Sequence, residues 1–181
     1  MLKSSNLILP FILIISLLNC GGPTKEQKQV IDAQAQLEKD LEMYKYVWGE
    51  FFKGDTAIVN EKYFTDDVVI VTPEGNLVGI EAVKNFYLNY FLGFSEVKFT
   101  IVDAFGQGDK IVKYWNFKGT HTGDFFGIPA SGNKLDLSGT TLVSIKNGKI
   151  ASEQDFFDMM SMVSQLTEGD VNADAGNPGV L

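Results

Sequence analysis

From Gln27 to Phe52, the apolar residues Val30, Leu37, Leu41, Tyr44, Trp48 and Phe51 recur at intervals of three, four or seven. That spacing gathers them on one side of an α-helix and leaves Glu38, Lys39, Glu42 and Lys45 on the solvated side. Gly54 supplies a stop, and DTAIVNEKYF predicts a second short helix capped by Asp55 or Thr56. The period then changes. Val68, Val69, Ile70 and Val71 form a β-branched run, and Pro73-Glu74-Gly75-Asn76 reads as a turn. Helical spacing returns over Ile80 to Leu92 through Val83, Phe86, Tyr90 and Phe91. Beyond it, alternation predicts strands at about 96–106, 109–120, 134–146 and 148–158. GQGDK turns between the first two of these. Asn147-Gly148, the preferred pair for a type I′ hairpin, turns between the last two. DMMSMVSQL closes the pattern as a helix or a loop.

Helices first and long antiparallel strands afterwards imply an α+β fold. A strongly curved sheet wrapped around helices leaves a cone-shaped cavity between the two layers. Nothing repeats internally, and 181 residues suit one domain.

The first residues follow another logic. Lys3 precedes an apolar run from Leu7 to Leu18, which is too short to span a bilayer comfortably. A positive start and a short apolar stretch read as a secretory signal. Leu17-Leu18-Asn19-Cys20 then resembles the lipobox of bacterial lipoproteins, with Asn19 in place of the commonest small residues. The resemblance implies cleavage before Cys20 and a lipid on it, so that acyl chains anchor the protein without a spanning helix. The alternative is a secreted or uncleaved protein with an incidental cysteine. The expected organisation is a signal peptide at 1–19, a lipidated tether at 20–26, a folded domain at 27–167 and a disordered acidic tail at 168–181. Gly21, not acidic, favours the outer membrane by the same resemblance over a periplasm-facing membrane. Either way the address is the cell envelope.

Composition narrows the chemistry. Basic residues number 15 against 23 acidic ones, for a net charge of -8, and every basic residue is lysine. Without arginine there is no bidentate fork for phosphate or base edges, which argues against nucleic acid as a partner. No glycine-rich phosphate loop occurs. One histidine and one cysteine leave no convincing ligand set for a metal, and no cofactor motif is present.

Gly79-Ile80-Glu81-Ala82-Val83 resembles the G-x-E-A-V that opens a helix in the nuclear transport factor 2-like superfamily. GTHTGDFFGIPASG and NGKIASEQDFFDMMSMVSQL resemble two segments of its SnoaL-like polyketide cyclase and ester cyclase branch, over residues 35–167. This implies a cone-shaped curved antiparallel (mixed) sheet packed on three N-terminal helices, the cystatin-like α+β barrel. It also implies a homodimer through the outer sheet face. Fold alone does not carry function here.

The resemblance puts a general acid/base at Asp158, supported on its strand face by Ser152, Gln154 and Phe156; the other face carries Ala151, Glu153, Asp155 and Phe157. Asp158 reads equally as the cap of a closing helix. Gln154 stands where the branch has Trp. His121 shares a face with Ile111, Lys113, Trp115 and Phe117. It is either a rim group that binds a substrate oxygen or orients Asp158, or a structural residue of the 121–132 loop. Trp115, Phe117 and Tyr90 are expected cavity walls. Two functions stay open. One is an envelope-anchored module holding a small, largely apolar molecule, favoured by Gln154 and the anchor. The other is an acid/base ester cyclase, isomerase or hydrolase-like enzyme, favoured by Asp158 and His121.

Overall fold

Thr24 opens the first helix with a capping box: its hydroxyl accepts from the Gln27 backbone N–H, and the Gln27 side chain accepts from the Thr24 N–H. The computed structural model, which describes residues 22–168, carries this helix (α1) over Lys25–Phe51. Cys20, the signal and nearly all of the acidic tail lie outside the described residues. The buried seam of α1 begins only at Leu37 and continues through Tyr44, Val47, Trp48 and Phe51. Residues 25–36 are exposed, a stalk of about 18 Å at the helical rise per residue. No helix of the described residues is long and apolar enough to cross a membrane.

The expected second helix is a single 3-10 turn, Thr56–Ile58. Local side-chain bonds divert the chain there. The Asn60 amide donates to the Ala57 carbonyl and its Oδ1 accepts from Lys62 N–H, chemistry that competes with helix propagation. Phe64 then already begins β1 (Phe64–Thr72), which folds back on β2 (Gly75–Val78). Helix α2 (Ile80–Gly93) starts after Gly79, whose φ of 94° favours glycine. Four strands follow: β3 (Phe94–Gln107), β4 (Lys110–His121), β5 (Lys134–Lys146) and β6 (Lys149–Phe157), and then α3 (Met159–Glu168). The β5–β6 turn has φ of 54° at Asn147 and 71° at Gly148, as a type I′ turn requires.

The six strands make one curved, mixed sheet in the order β2-β1-β6-β5-β4-β3. All neighbours are antiparallel except β1 and β6, which run parallel. This is the expected α+β architecture, with the third α-helix closing the chain rather than preceding the sheet. Helix α1 lies against β3, α2 against β1, β2 and β3, and α3 against β5. One apolar core joins them, from Tyr44, Trp48 and Phe51 of α1 to Ile111, Trp115 and Phe117 of β4 and Leu166 of α3.

The segment between β4 and β5 is tied down by α2. Thr122 and Gly123 both donate backbone N–H bonds to the Gly93 carbonyl, at 2.9 and 3.0 Å, and Phe125 is buried beneath. A Cβ on Gly123 would overlap the Leu92 carbonyl oxygen. Because backbone would have to move, Gly123→Ala is expected to cost about 1–3 kcal/mol, read as a lower midpoint in urea denaturation with an unchanged slope.

Candidate functional site

Strand β4 alternates without interruption. Ile111, Lys113, Trp115, Phe117, Gly119 and His121 are all buried, and the residues between them face outward or lie part-way. Lys113 is therefore carried into the core by its register, between Ile111 and Trp115.

Strand β6 does not keep a single phase. Ile145 pairs with Ile150, but the next residue on β5, Ser144, pairs with Ser152. Ala151 is the extra residue of a β-bulge, and it reverses which side chains face the helices. Ile150 points inward, and beyond the bulge Glu153 points inward too. Gln154 pairs with the exposed Leu142 and falls on the outer face; Phe156 is 51% exposed. The inward carboxyls are thus Glu153 and Asp155, one position away from those that strict alternation with Ile150 selects.

Glu153 is fully buried and collects donors from both long helices. Its Oε1 accepts from the Tyr44 hydroxyl and, at 3.0 Å, from Trp48 Nε1–H. Oε2 lies 3.1 Å from the Tyr87 hydroxyl, which is also 3.3 Å from Asp155 Oδ2. One hydroxyl proton cannot serve both carboxyls. A self-consistent network puts a proton on Glu153, which donates to the Tyr87 oxygen, while Tyr87 donates to Asp155. Burial pushes the Glu153 carboxyl up from its ordinary value, in agreement with that arrangement. At its other oxygen Asp155 accepts from Thr141, whose Oγ1 in turn accepts from Trp115 Nε1–H at 3.0 Å.

Lys113 is buried opposite these groups. Among the described residues no carboxylate oxygen lies within ion-pair distance of its Nζ, which instead sits 5.0 Å from the Trp48 ring centroid, 5.3 Å from Tyr44 and 5.4 Å from Phe99. Burial pushes its amine down, and the carboxyls of Glu153 and Asp155 only partly counter this. Lys113 and Asp155 are the charged residues on the wall of a small void of about 20 Å³; Phe52, Tyr87, Tyr90, Phe99, Trp115 and Phe117 make the rest. That is room for about one water. Phe52 and Phe99 stack at 4.1 Å, half-buried, and Phe99 also lines an outer groove of about 350 Å³ with Lys45, Gly49, Ile101, Val102 and Asp103. Phe99 is thus a wall of both the groove and the void.

The expected wall residues Trp115, Phe117 and Tyr90 are all brought to the void. Three expectations need correction. Asp158 is exposed and caps α3, its Oδ1 accepting from Ser161 N–H at 2.9 Å. Phe156 and Gln154 stand on the outside of the sheet because of the bulge. His121 is fully buried, but away from the void wall: its ring packs on Phe94 at 5.3 Å and its Nδ1 meets Ser131 Oγ at 3.0 Å. Its backbone holds both ends of the following loop, through Asn133 and Gly132. Sequence reasoning missed Glu153, Asp155, Tyr44, Tyr87 and Thr141 as site groups. The signal for Lys113 was present, since a lysine in the inward phase of an aromatic strand is anomalous.

Because the folded carboxyl of Glu153 titrates above its unfolded counterpart, its contribution is complete below the unfolded value and is lost as pH rises towards the folded one. Wild-type stability is expected to fall relative to Glu153→Gln between about pH 5 and about pH 8. Urea denaturation of the two proteins at both pH values measures this difference.

A model of the SnoaL-like polyketide cyclase family matches residues 41–166. The fold is shared with a protein assigned as a SnoaL-like polyketide cyclase from Jannaschia sp. CCS1, at 21% identity and TM-score 0.64, covering 74% of this chain and 92% of that one. TsrD from Streptomyces laurentii is similar at 22% identity and TM-score 0.62, over 74% and 96% of the two chains. A protein of ketosteroid isomerase-like fold from Catenulispora acidiphila DSM 44928, crystallised with trimethylamine, is similar at 20% identity and TM-score 0.55, over 67% and 89%. None of the curated proteins matches the chain.

Proposed function

The chain belongs to the SnoaL-like polyketide cyclase family, and we propose that it is a lipid-anchored cell-envelope protein whose aromatic cavity holds a small, largely apolar molecule. The observation that carries this reading is the void itself: six aromatic residues surround it, and Lys113 and Asp155 alone offer charge. Such a wall suits an apolar body bearing one or two polar atoms. The void is small, so occupancy by anything larger than a water requires wall side chains such as the Phe52–Phe99 pair to move apart. The lipid belongs on Cys20, and the exposed first part of α1 would hold the domain off the membrane surface. A homodimer through the outer sheet face is supported by the exposed Tyr114 and Phe156, which flank Thr140 in one cross-strand row, and by Leu142 in the next.

The second reading is acid/base catalysis, and the hydrogen-bond chain from Glu153 through Tyr87 to Asp155 favours it. Asp155 takes the place first expected for Asp158: it is the carboxyl at the void, and Glu153 behind it stores a proton.

Binding is tested by thermal shift of the protein against a panel of lipophilic metabolites. Trp115→Ala is expected to weaken a hit at least tenfold, about 1.4 kcal/mol. Phe99→Ala, which joins groove to void, is expected to leave affinity equal or tighter. If both variants behave like wild type, the ligand sits elsewhere and the reading fails. The address is tested on its own: Cys20→Ala is expected to abolish the acyl-modified mass of the protein isolated from membranes, and an unchanged mass overturns it.

A further inference from the structure

We propose that Lys113 is a Schiff-base lysine, and that the small molecule held by the cavity is an aldehyde or ketone captured reversibly as an imine. This rests on the cavity reading above and names the chemical class of its ligand. The argument starts from placement. Lys113 is buried, yet it has no ion-pair partner and stands over three aromatic rings on the wall of the void. A buried ammonium normally finds a carboxylate; here the nearby carboxyls are engaged by other donors. Glu153 is held by Tyr44, Trp48 and Tyr87, and Asp155 by Thr141 and Tyr87. The amine is left on the wall of the void without an ion-pair partner, next to the Tyr90 hydroxyl, and the two together suit a site awaiting a ligand oxygen.

The charged and titratable groups facing it are Tyr44 from α1, Tyr87 and Tyr90 from α2, and Glu153 and Asp155 from β6. Burial outweighs the two carboxyls and favours the neutral amine, the nucleophilic form. The step balances without any further reagent. The Nζ lone pair attacks the carbonyl carbon, and the C=O π pair moves to oxygen. A proton passes from nitrogen to that oxygen by way of the Asp155 carboxylate, giving the carbinolamine. A second transfer along the same route releases the hydroxyl as water, and the nitrogen lone pair closes the C=N bond. The products are one imine and one water. Hydrolysis reverses the sequence, so the captured carbonyl compound can be released unchanged.

The experiment treats the full chain at about pH 7 with benzaldehyde and borohydride, which fixes any imine as a benzyl amine, and maps the product by peptide mass. The exposed lysines serve as internal controls. Labelling of Lys113 is expected to exceed that of any other lysine by about tenfold or more, because burial favours its neutral amine. Acetaldehyde serves as a second, smaller probe. Lys113→Met, close in volume, is expected to lose that label and keep the background on other lysines. Where that variant does not fold, the wild-type map alone decides. Labelling spread evenly over the lysines, or none with either aldehyde, overturns the proposal. Benzyl alcohol, which cannot form an imine, separates the two readings by thermal shift. A shift with the alcohol and no Lys113 adduct leaves the cavity as a binding site and removes the imine. Neither shift nor adduct removes both.

Discussion

A single carboxyl group, that of Glu153, fastens both long helices to the sheet. Tyr44 and Trp48 reach it from α1 and Tyr87 reaches it from α2, all inside a core that excludes water. Burying a carboxyl is tolerable only when its hydrogen-bonding capacity is filled, and here its partners come from both helices. The bonds therefore fix the rotation of each helix about its own axis. Apolar packing is non-directional and would accept several rotations. Tyr44 and Trp48 are four residues apart on α1, so one rotation presents both to the same oxygen. That rotation also sets where Phe51 and Phe52 fall, and with them the wall of the void.

The bulge at Ala151 is the device that makes this possible. Without it, the register that buries Ile150 would bury Ser152, Gln154 and Phe156, and the two carboxyls would stand in solvent. One inserted residue leaves Ile150 in the core and turns Glu153 and Asp155 inward. This is also why the site was only half legible in the sequence. The alternation of β4 is unbroken, so Trp115 and Phe117 could be placed on the inner wall from pattern alone, and Lys113 with them. Helices α1 and α2 and the last four strands were equally plain, because Asn147-Gly148 and the periodicity of α1 each have one strong structural meaning. A bulge has no comparable mark: Ala151 is not a glycine, and nothing in KIASEQDFF says which residue is the extra one.

Asp158 and His121 show a different limit. Both stand in segments whose resemblance to the family is good, and both have polar groups fit for chemistry. The structure gives each a backbone task. Asp158 satisfies an orphan N–H at the start of α3, where a carboxylate is favourable for the free backbone donors and the helix dipole alike. His121 closes the loop whose Phe125 plugs the core. A side chain that supports a cap and one that supports catalysis look identical in a sequence, because the same hydrogen-bonding groups serve both. Geometry separates them, and here the carboxyl it leaves at the void is that of Asp155.

The smallness of the void bears on how any ligand is held. The wall next to the outer groove is side chain, not backbone: Phe52 sits at the C-terminal cap of α1, and Phe99 follows a register shift in β3. Parting them needs no ladder hydrogen bond to break. Exposing two half-buried rings costs on the order of 2–3 kcal/mol in lost apolar burial. An apolar ligand that fills the opened space restores that contact, so its net affinity rests largely on whatever polar bond it makes at the far end. Lys113 and the Tyr90 hydroxyl have capacity to spare on that wall. A cavity built in this way rejects molecules without a suitable polar atom, since they meet the opening cost and leave the amine unpartnered. It retains those that supply one. Selectivity then arises from a buried amine to which the core gives no ion-pair partner, and shape complementarity contributes less than in a preformed pocket.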